Sequence, residues 1–337
     1  MDNESPWALG LDIGGTKIVG GLVNARGELA TVHGKPIIIR YEYDGMTEGS
    51  SRAQELLVRI GQELLAVPTV SQAQISAVGI GVAGTVDFTQ GRVVIDSANV
   101  PGMEEIDFPT LCIEQFGVPG YADNDVNCAA YAEAHFGAGR GCNPVFCATL
   151  GAGVGGGLIV AGQVYRGFFG SAMEIGHTVV NYQGGPCPCG GTGHLEKWFA
   201  TAAIEKRLAQ AVQQHPNCLI GQYSVIVQRP RVEALFAAVR DNDPVAQSIL
   251  DDLLEMLAAA LGTVSSLLVP EVVVIGGGIA QAGEVLFAPL RAKLPKYIAY
   301  PSGAYLPAIV PAALGPEATL IGAGALALAE RSKTKSS

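Results

Sequence analysis

Positive charge is scarce in this chain. Its 337 residues include 21 Lys and Arg against 31 Asp and Glu, a formal net charge of −10, and the isoelectric point is near 5.0. That balance argues against a nucleic-acid partner and against a basic face for a membrane surface. Long apolar runs are lacking too. The longest, Met256 to Pro270, is interrupted by Thr263, Ser265 and Ser266 and is too short for a transmembrane helix. Seven cysteines in a chain of this length do not make a disulfide framework. The acidic start, Met1-Asp-Asn-Glu-Ser, has no apolar signal segment. These absences point to a reduced, cytoplasmic protein. An anionic ligand would have to be held by backbone dipoles or a metal ion, because basic side chains are few.

Apolar residues make up 49% of the chain and the mean hydropathy is +0.31, enough for a large buried core. The length suggests two domains or one large α/β unit that divides in two. The 44 glycines follow no collagen period, so they indicate tight turns and close backbone approaches. Ala8 to Ile13 and Ile18 to Val23 predict two strands around the turn Gly14-Gly15-Thr16-Lys17. Val145 to Leu150 and Gly157 to Val160 repeat the pattern around Gly151 to Gly156, which suggests two halves of related fold.

Helical periodicity is visible from about Arg52 to Leu65, and a short helix is expected near Pro109 with Asp107 or Thr110 as its cap. Val118 to Tyr121 is a short strand candidate. Asp243-Pro244 reads as a helix start, with the stripe Ile249, Leu253, Leu257 and Leu261 behind it and Pro270 as the stop. Val272 to Ile275 is a buried-strand candidate, and a last helix is expected from Ala318 to Arg331 with a frayed polar tail. Helices alternating with apolar strands place the chain in the α/β class.

Three glycine turns follow apolar strands. Asp12-Ile13-Gly14-Gly15-Thr16-Lys17 lacks the Walker A spacing, yet its amides and the Thr16 hydroxyl could cradle phosphate, with Asp12 holding a hydrated magnesium ion. An ordinary hairpin with a charged shoulder has the same residues. Gly151 to Gly157 is a second candidate nest, and Gly276-Gly277-Gly278 could let a nucleobase lie against the backbone. Asn124 and Asp125 sit where a general base could act, although such residues also cap helices, and the sequence alone favours the cap.

His177, Cys187, Cys189 and His194 fall within eighteen residues in the order H-x9-C-x-C-x4-H. Four nitrogen and sulfur ligands at that density favour a closed, structural zinc site, since C-x-C is not the redox spacing. Such a site would fix the flanking Glu174 and Glu196.

These segments together resemble the ROK family of sugar kinases, a branch of the actin-like ATPase (ribonuclease H-like) fold. The resemblance covers nearly the whole chain. It is carried by Leu11 to Lys17, Gly81 to Asp87, Asn99-Val100-Pro101-Gly102, Asn124-Asp125, the second glycine loop, Glu174 to His177, Cys187 to Glu196 and Ile275 to Gly278. It implies a two-domain protein with an interdomain cleft. Residues 1–119 plus the helix 317–337 would form a small domain, and 120–316 a large one with a zinc-binding loop at 174–196. The implied activity is phosphorylation of a hexose at its 6-hydroxyl by ATP with Mg2+, glucose first among the acceptors. Asp125 would be the base. Gly84, Asn99, Asn124, Asp125, Glu174, His177 and Glu196 would bind sugar. Asp12, Gly14, Gly15, Thr16, Lys17, Gly151, Ala152, Gly153, Gly276, Gly277 and Gly278 would bind nucleotide and phosphate.

Family members are often dimers or tetramers, so a homo-oligomer is expected. Two departures stand out: His194 replaces the usual third cysteine, and Ala152 replaces a threonine in the phosphate loop. Loss of that hydroxyl would cost about 1–3 kcal/mol if its acceptor were otherwise unpaired. The family also includes sugar-sensing repressors with an N-terminal DNA-binding domain. Only about seven residues precede the first strand here, which disfavours that reading.

Overall fold

β1 (Trp7–Ile13) and β2 (Lys17–Asn24) pair antiparallel across the Gly14–Thr16 turn, as the apolar runs predict. The computed structural model describes residues 6–97, 100–224, 231–299 and 305–336. After the short β3 (Thr31–Val32) and β4 (Lys35–Pro36), β5 (Ile38–Glu42) adds antiparallel to β2. α1 (Gly45–Leu65) leads to β6 (Ile75–Val82), which pairs parallel to β1. β7 (Gly84–Asp87) and β8 (Arg92–Asp96) form a separate hairpin. α2 (Phe108–Phe116), capped by the Asp107 side chain, precedes β9 (Gly120–Asn124), which lies parallel to β6, and α3 (Asp125–Phe136) follows directly.

The second half opens with β10 (Val145–Leu150), β11 (Val154–Val160) and β12 (Gln163–Val164). A helical block comes next: α4 (Glu196–Phe199), α5 (Thr201–Gln214), α6 (Leu219–Tyr223), α7 (Val232–Arg240) and α8 (Pro244–Leu268). β13 (Val272–Gly276), α9 (Glu284–Lys293), β14 (Ala308–Pro311) and α10 (Ala318–Ser336) complete the described chain. The two main sheets run β5-β2-β1-β6-β9 and β12-β11-β10-β13-β14. The parallel pairs β1–β6–β9 and β10–β13–β14 occupy matching positions, so the repeat suggested by the glycine hairpins extends to whole sheets.

The chain divides into two compact units, 1–141 with 157–173 and 313–337, and 142–156 with 174–312. The expected boundary at residue 119 differs from this one because β9 hydrogen-bonds to β6, which keeps β9 and α3 in the first unit. The core of that unit joins Leu9, Leu11, Ile13 and Ile18 to Leu56, Leu57, Ile60 and Leu64 of α1. α10 packs on β1, β6 and α3 at distances that only glycine permits. A Cβ at Gly79 would lie 1.9 Å from the Ala323 carbonyl oxygen, and one at Gly322 would lie 1.8 Å from that of Cys128.

Three element boundaries differ from expectation. α1 begins at Gly45 rather than near Arg52, because Asp44 accepts from the Met46 N–H and caps a polar first turn. Gly49, at φ 69°, kinks the helix before the apolar stripe begins. β9 lies further along than Val118 to Tyr121, because its pairing with β6 carries the strand through Asp123 and Asn124. The tail expected to fray continues α10 to Ser336.

Candidate functional site

In the first unit β1, β6 and β9 are parallel, and their carboxyl ends deliver the candidate residues to one edge of the sheet. Asp12 stands near the end of β1, Gly84 just beyond β6, and Asn124 ends β9. Ligands of open α/β sheets bind at that edge. The Asn124 Oδ1 accepts from the backbone N–H groups of Val126 (2.9 Å) and Asn127 (3.2 Å), so it caps α3, the reading that the residues alone favoured. Its Nδ2 donates to the Gly84 carbonyl oxygen at 3.0 Å, which ties the entrance of β7 to the start of α3. Asp125 is the first residue of α3.

Two carboxyls in this unit sit at an electrostatic cost. The Asp12 pKa is pushed up to about 7, by burial first and then by the neighbouring charge of Asp125, with Lys17 and Arg40 opposing. Burial also raises the Asp125 carboxyl above the usual carboxylate range. Such a pair suits a divalent cation at Asp12 and a proton acceptor at Asp125. The Gly14–Thr16 turn is held at its shoulders. Gly14 N–H donates to the Lys17 carbonyl, and the Gly15 and Thr16 carbonyls accept from Gly45 and Tyr43. Thr16 is exposed.

In the second unit both remaining glycine turns meet at the end of β10. Gly277 has φ 87°, and a Cβ there would lie 2.3 Å from the Leu150 carbonyl oxygen. Gly151 follows Leu150, and its carbonyl accepts from both the N–H (2.9 Å) and the hydroxyl (2.8 Å) of Thr201. Gly151 N–H closes the turn on the Gly153 carbonyl, and Ala152 is exposed. A cavity of about 660 Å³ lies beside these turns, lined by Thr201, Glu205, Arg231, Phe236, Ile279 and Gly278 among others. Its size suits a drug-sized or nucleoside ligand. Glu196, at the start of α4, accepts from the Val154 N–H at 3.0 Å. Glu174 is exposed beside the turn Ile175–His177. Asn99 lies outside the described residues.

The predicted metal set comes together. One ligand atom from each of His177, Cys187, Cys189 and His194 lies within 4.8 Å of the others. The backbone shapes that loop with bridges between Val179 and His194 and between Pro186 and Thr192. The residues fit zinc. His177 Nδ1 is buried without a hydrogen-bond partner, and burial pushes the Cys187 thiol up, so a thiolate there needs a cation beside it.

Sequence reasoning missed the cavity wall and the Asp123–Arg166 pair. Phe236, Arg231 and Ile279 come from three separated segments with no motif of their own. The joining contacts are long-range, and a single sequence displays only local spacing.

The family model described as ROK family matches residues 8–330, and the chain belongs to that family. A glucokinase of Thermotoga maritima is 32% identical over 94% of this chain and 96% of its own length. The crystal structure of a ROK family glucokinase from Streptomyces griseus, in complex with glucose and AMPPNP, superposes with a TM-score of 0.79. It is 30% identical and covers 96% of this chain and 99% of that one. A putative xylose repressor of Caldicellulosiruptor is 26% identical over 84% of this chain but 68% of its own.

Proposed function

We propose that the protein transfers the γ-phosphoryl group of ATP to the 6-hydroxyl of a hexose, with glucose as the first acceptor. One observation carries the nucleotide half of this reading. Within the second unit, the cavity, the Gly276–Gly278 turn and the Gly151–Gly153 turn are contiguous through Thr201 and Leu150. A base in the cavity against Gly278 and Phe236 would direct its phosphates toward the amides of the second turn. The relatives named glucokinase, and the glucose and AMPPNP of the Streptomyces griseus complex, support the same assignment.

The sugar O6 attacks the γ-phosphorus, the bond to the β,γ-bridging oxygen breaks, and the O6 proton passes to an Asp125 carboxylate oxygen. Asp125 suits that task because burial raises its carboxyl toward the working pH. Asn124 holds the turn that presents it. Phosphoryl transfer depends mainly on positioning and on neutralising charge, which explains how a chain poor in basic residues could perform it. Magnesium, held through water by Asp12, would supply that neutralisation. Glu174, His177, Glu196 and Gly84 would bind sugar hydroxyls, and zinc on His177, Cys187, Cys189 and His194 would keep the loop in shape.

The test is ADP release with magnesium and ATP against a panel of hexoses and hexosamines, for the wild type and Asp125→Asn. Turnover on glucose that is lost in the variant, with sugar binding retained, is the expected result. Wild-type silence across the panel, or full activity in Asp125→Asn, rejects the reading.

A further inference from the structure

The strand end that carries Asn124 and Asp125 is anchored by a buried ion pair. Asp123 is 1% exposed and both of its carboxylate oxygens are engaged. Oδ2 accepts from Arg166 Nε at 2.8 Å and lies 2.7 Å from Arg166 Nη2. Oδ1 accepts from the Asn124 backbone N–H at 2.8 Å and from Asn127 Nδ2 at 3.0 Å. The Arg166 guanidinium lies 3.6 Å over the ring of Phe88, the residue after β7. The Arg166 carbonyl accepts from the Gly170 and Ala172 N–H groups, closing the turn that precedes Glu174 in sequence.

We infer that Arg166, acting through Asp123, is a positioning residue for the Asp125 carboxylate. The inference rests on Asp125 being the base. Asp125 is the first residue of α3, so its carboxylate goes where the first turn of α3 goes. That turn is set by Asn124, and the Asn124 N–H is set by Asp123. An ion pair with a buried partner adds little net stability over an apolar pair of the same volume, so stability alone accounts poorly for a desolvated Asp123 carboxylate and its half-buried arginine beside the base. Geometry accounts for them. The guanidinium Nε donates to Asp123 Oδ2, its Nη2 lies 2.7 Å from the same oxygen as an ion pair, and its flat face covers Phe88; the point charge of a lysine cannot do all three.

The experiment compares Arg166→Lys, Arg166→Ala and Asp125→Asn as full-length, zinc-loaded proteins, on whichever sugar the wild type turns over. Melting temperatures are recorded alongside kcat and both KM values. Arg166→Lys is expected to lose about tenfold in kcat and Arg166→Ala about a hundredfold, with KM for ATP within about twofold. Methylguanidinium added to Arg166→Ala should restore part of the rate without changing its melting temperature. The inference is overturned if Arg166→Lys keeps kcat within about threefold of wild type. It is also overturned if neither Arg166 variant folds, which marks the pair as structural. Full activity in Asp125→Asn would instead remove the base assignment, a separate failure visible in the same series.

Discussion

Replacing Glu133 by alanine should destabilise the first unit by several kilocalories per mole. This carboxylate sits in α3, 2% exposed, and accepts from three backbone N–H groups: Ala138 at 2.8 Å, Ala313 at 3.1 Å and Leu314 at 2.8 Å. These donors lie in the segment after α3 and in the one that leads into α10. Truncation would orphan all three. At about 1–3 kcal/mol for each buried donor left unpaired, the sum is roughly 3–9 kcal/mol. Water entering the vacated space would satisfy some of them, and the desolvation cost of the carboxylate itself disappears. The expected loss is therefore about 3–5 kcal/mol.

Glu133→Gln separates the terms, because it keeps the volume and one acceptor oxygen but turns an NH2 group toward a donor. It should lose about 2–4 kcal/mol. The assay is urea unfolding in a Trp198→Phe background, where Trp7 alone reports, from the edge of the first unit's core. A loss below about 1 kcal/mol in the alanine variant would mean that the three N–H groups find other partners, and the argument fails.

Other consequences are open to direct measurement. Asp12 binds its proton more tightly in the folded state, with a pKa of about 7 against 3.8. Stability without magnesium should therefore fall as pH rises through that window. Asp12→Asn should be more stable than wild type at pH 7, by at most about 4 kcal/mol, with the advantage gone below pH 4; parallel pH profiles of stability for the two proteins would contradict this. Metal analysis should find about one zinc per chain, as a single four-ligand site requires, and strong chelators should lower the melting temperature. A metal-free protein whose melting is indifferent to chelator would remove the zinc assignment. Ala152 is exposed, so Ala152→Thr should leave kcat equal or higher, and a sharp fall would show that this turn has a geometry of its own.

Much of the fold was legible because it is written locally. The strands β1, β10 and β13 are short apolar runs ended by glycine, β2 is an apolar run closed by the turn Asn24 to Gly27, and α8 announces itself through Asp243, Pro244 and its leucine stripe. The metal set was legible because four ligands crowd one loop. Less visible was β9, whose Asp123 and Asn124 look like loop residues and become strand only through pairing with β6. The start of α1 was hidden by polar residues that a side-chain cap makes helical. The cavity wall and the Arg166 anchor depend on tertiary contacts between distant segments, and no periodicity encodes those.

The glycine-tight seating of α10 has a consequence for how the chain is made. β1, β6 and α3 leave the ribosome long before the helix that fills the groove among them. Until those last residues are synthesised, the nascent first unit exposes a channel of bare backbone that no bulkier segment can occupy. The order of synthesis thus delays the covering of the N-terminal sheet to the end of translation, and a chain that stops before Ala318 would present an open groove to chaperones and proteases.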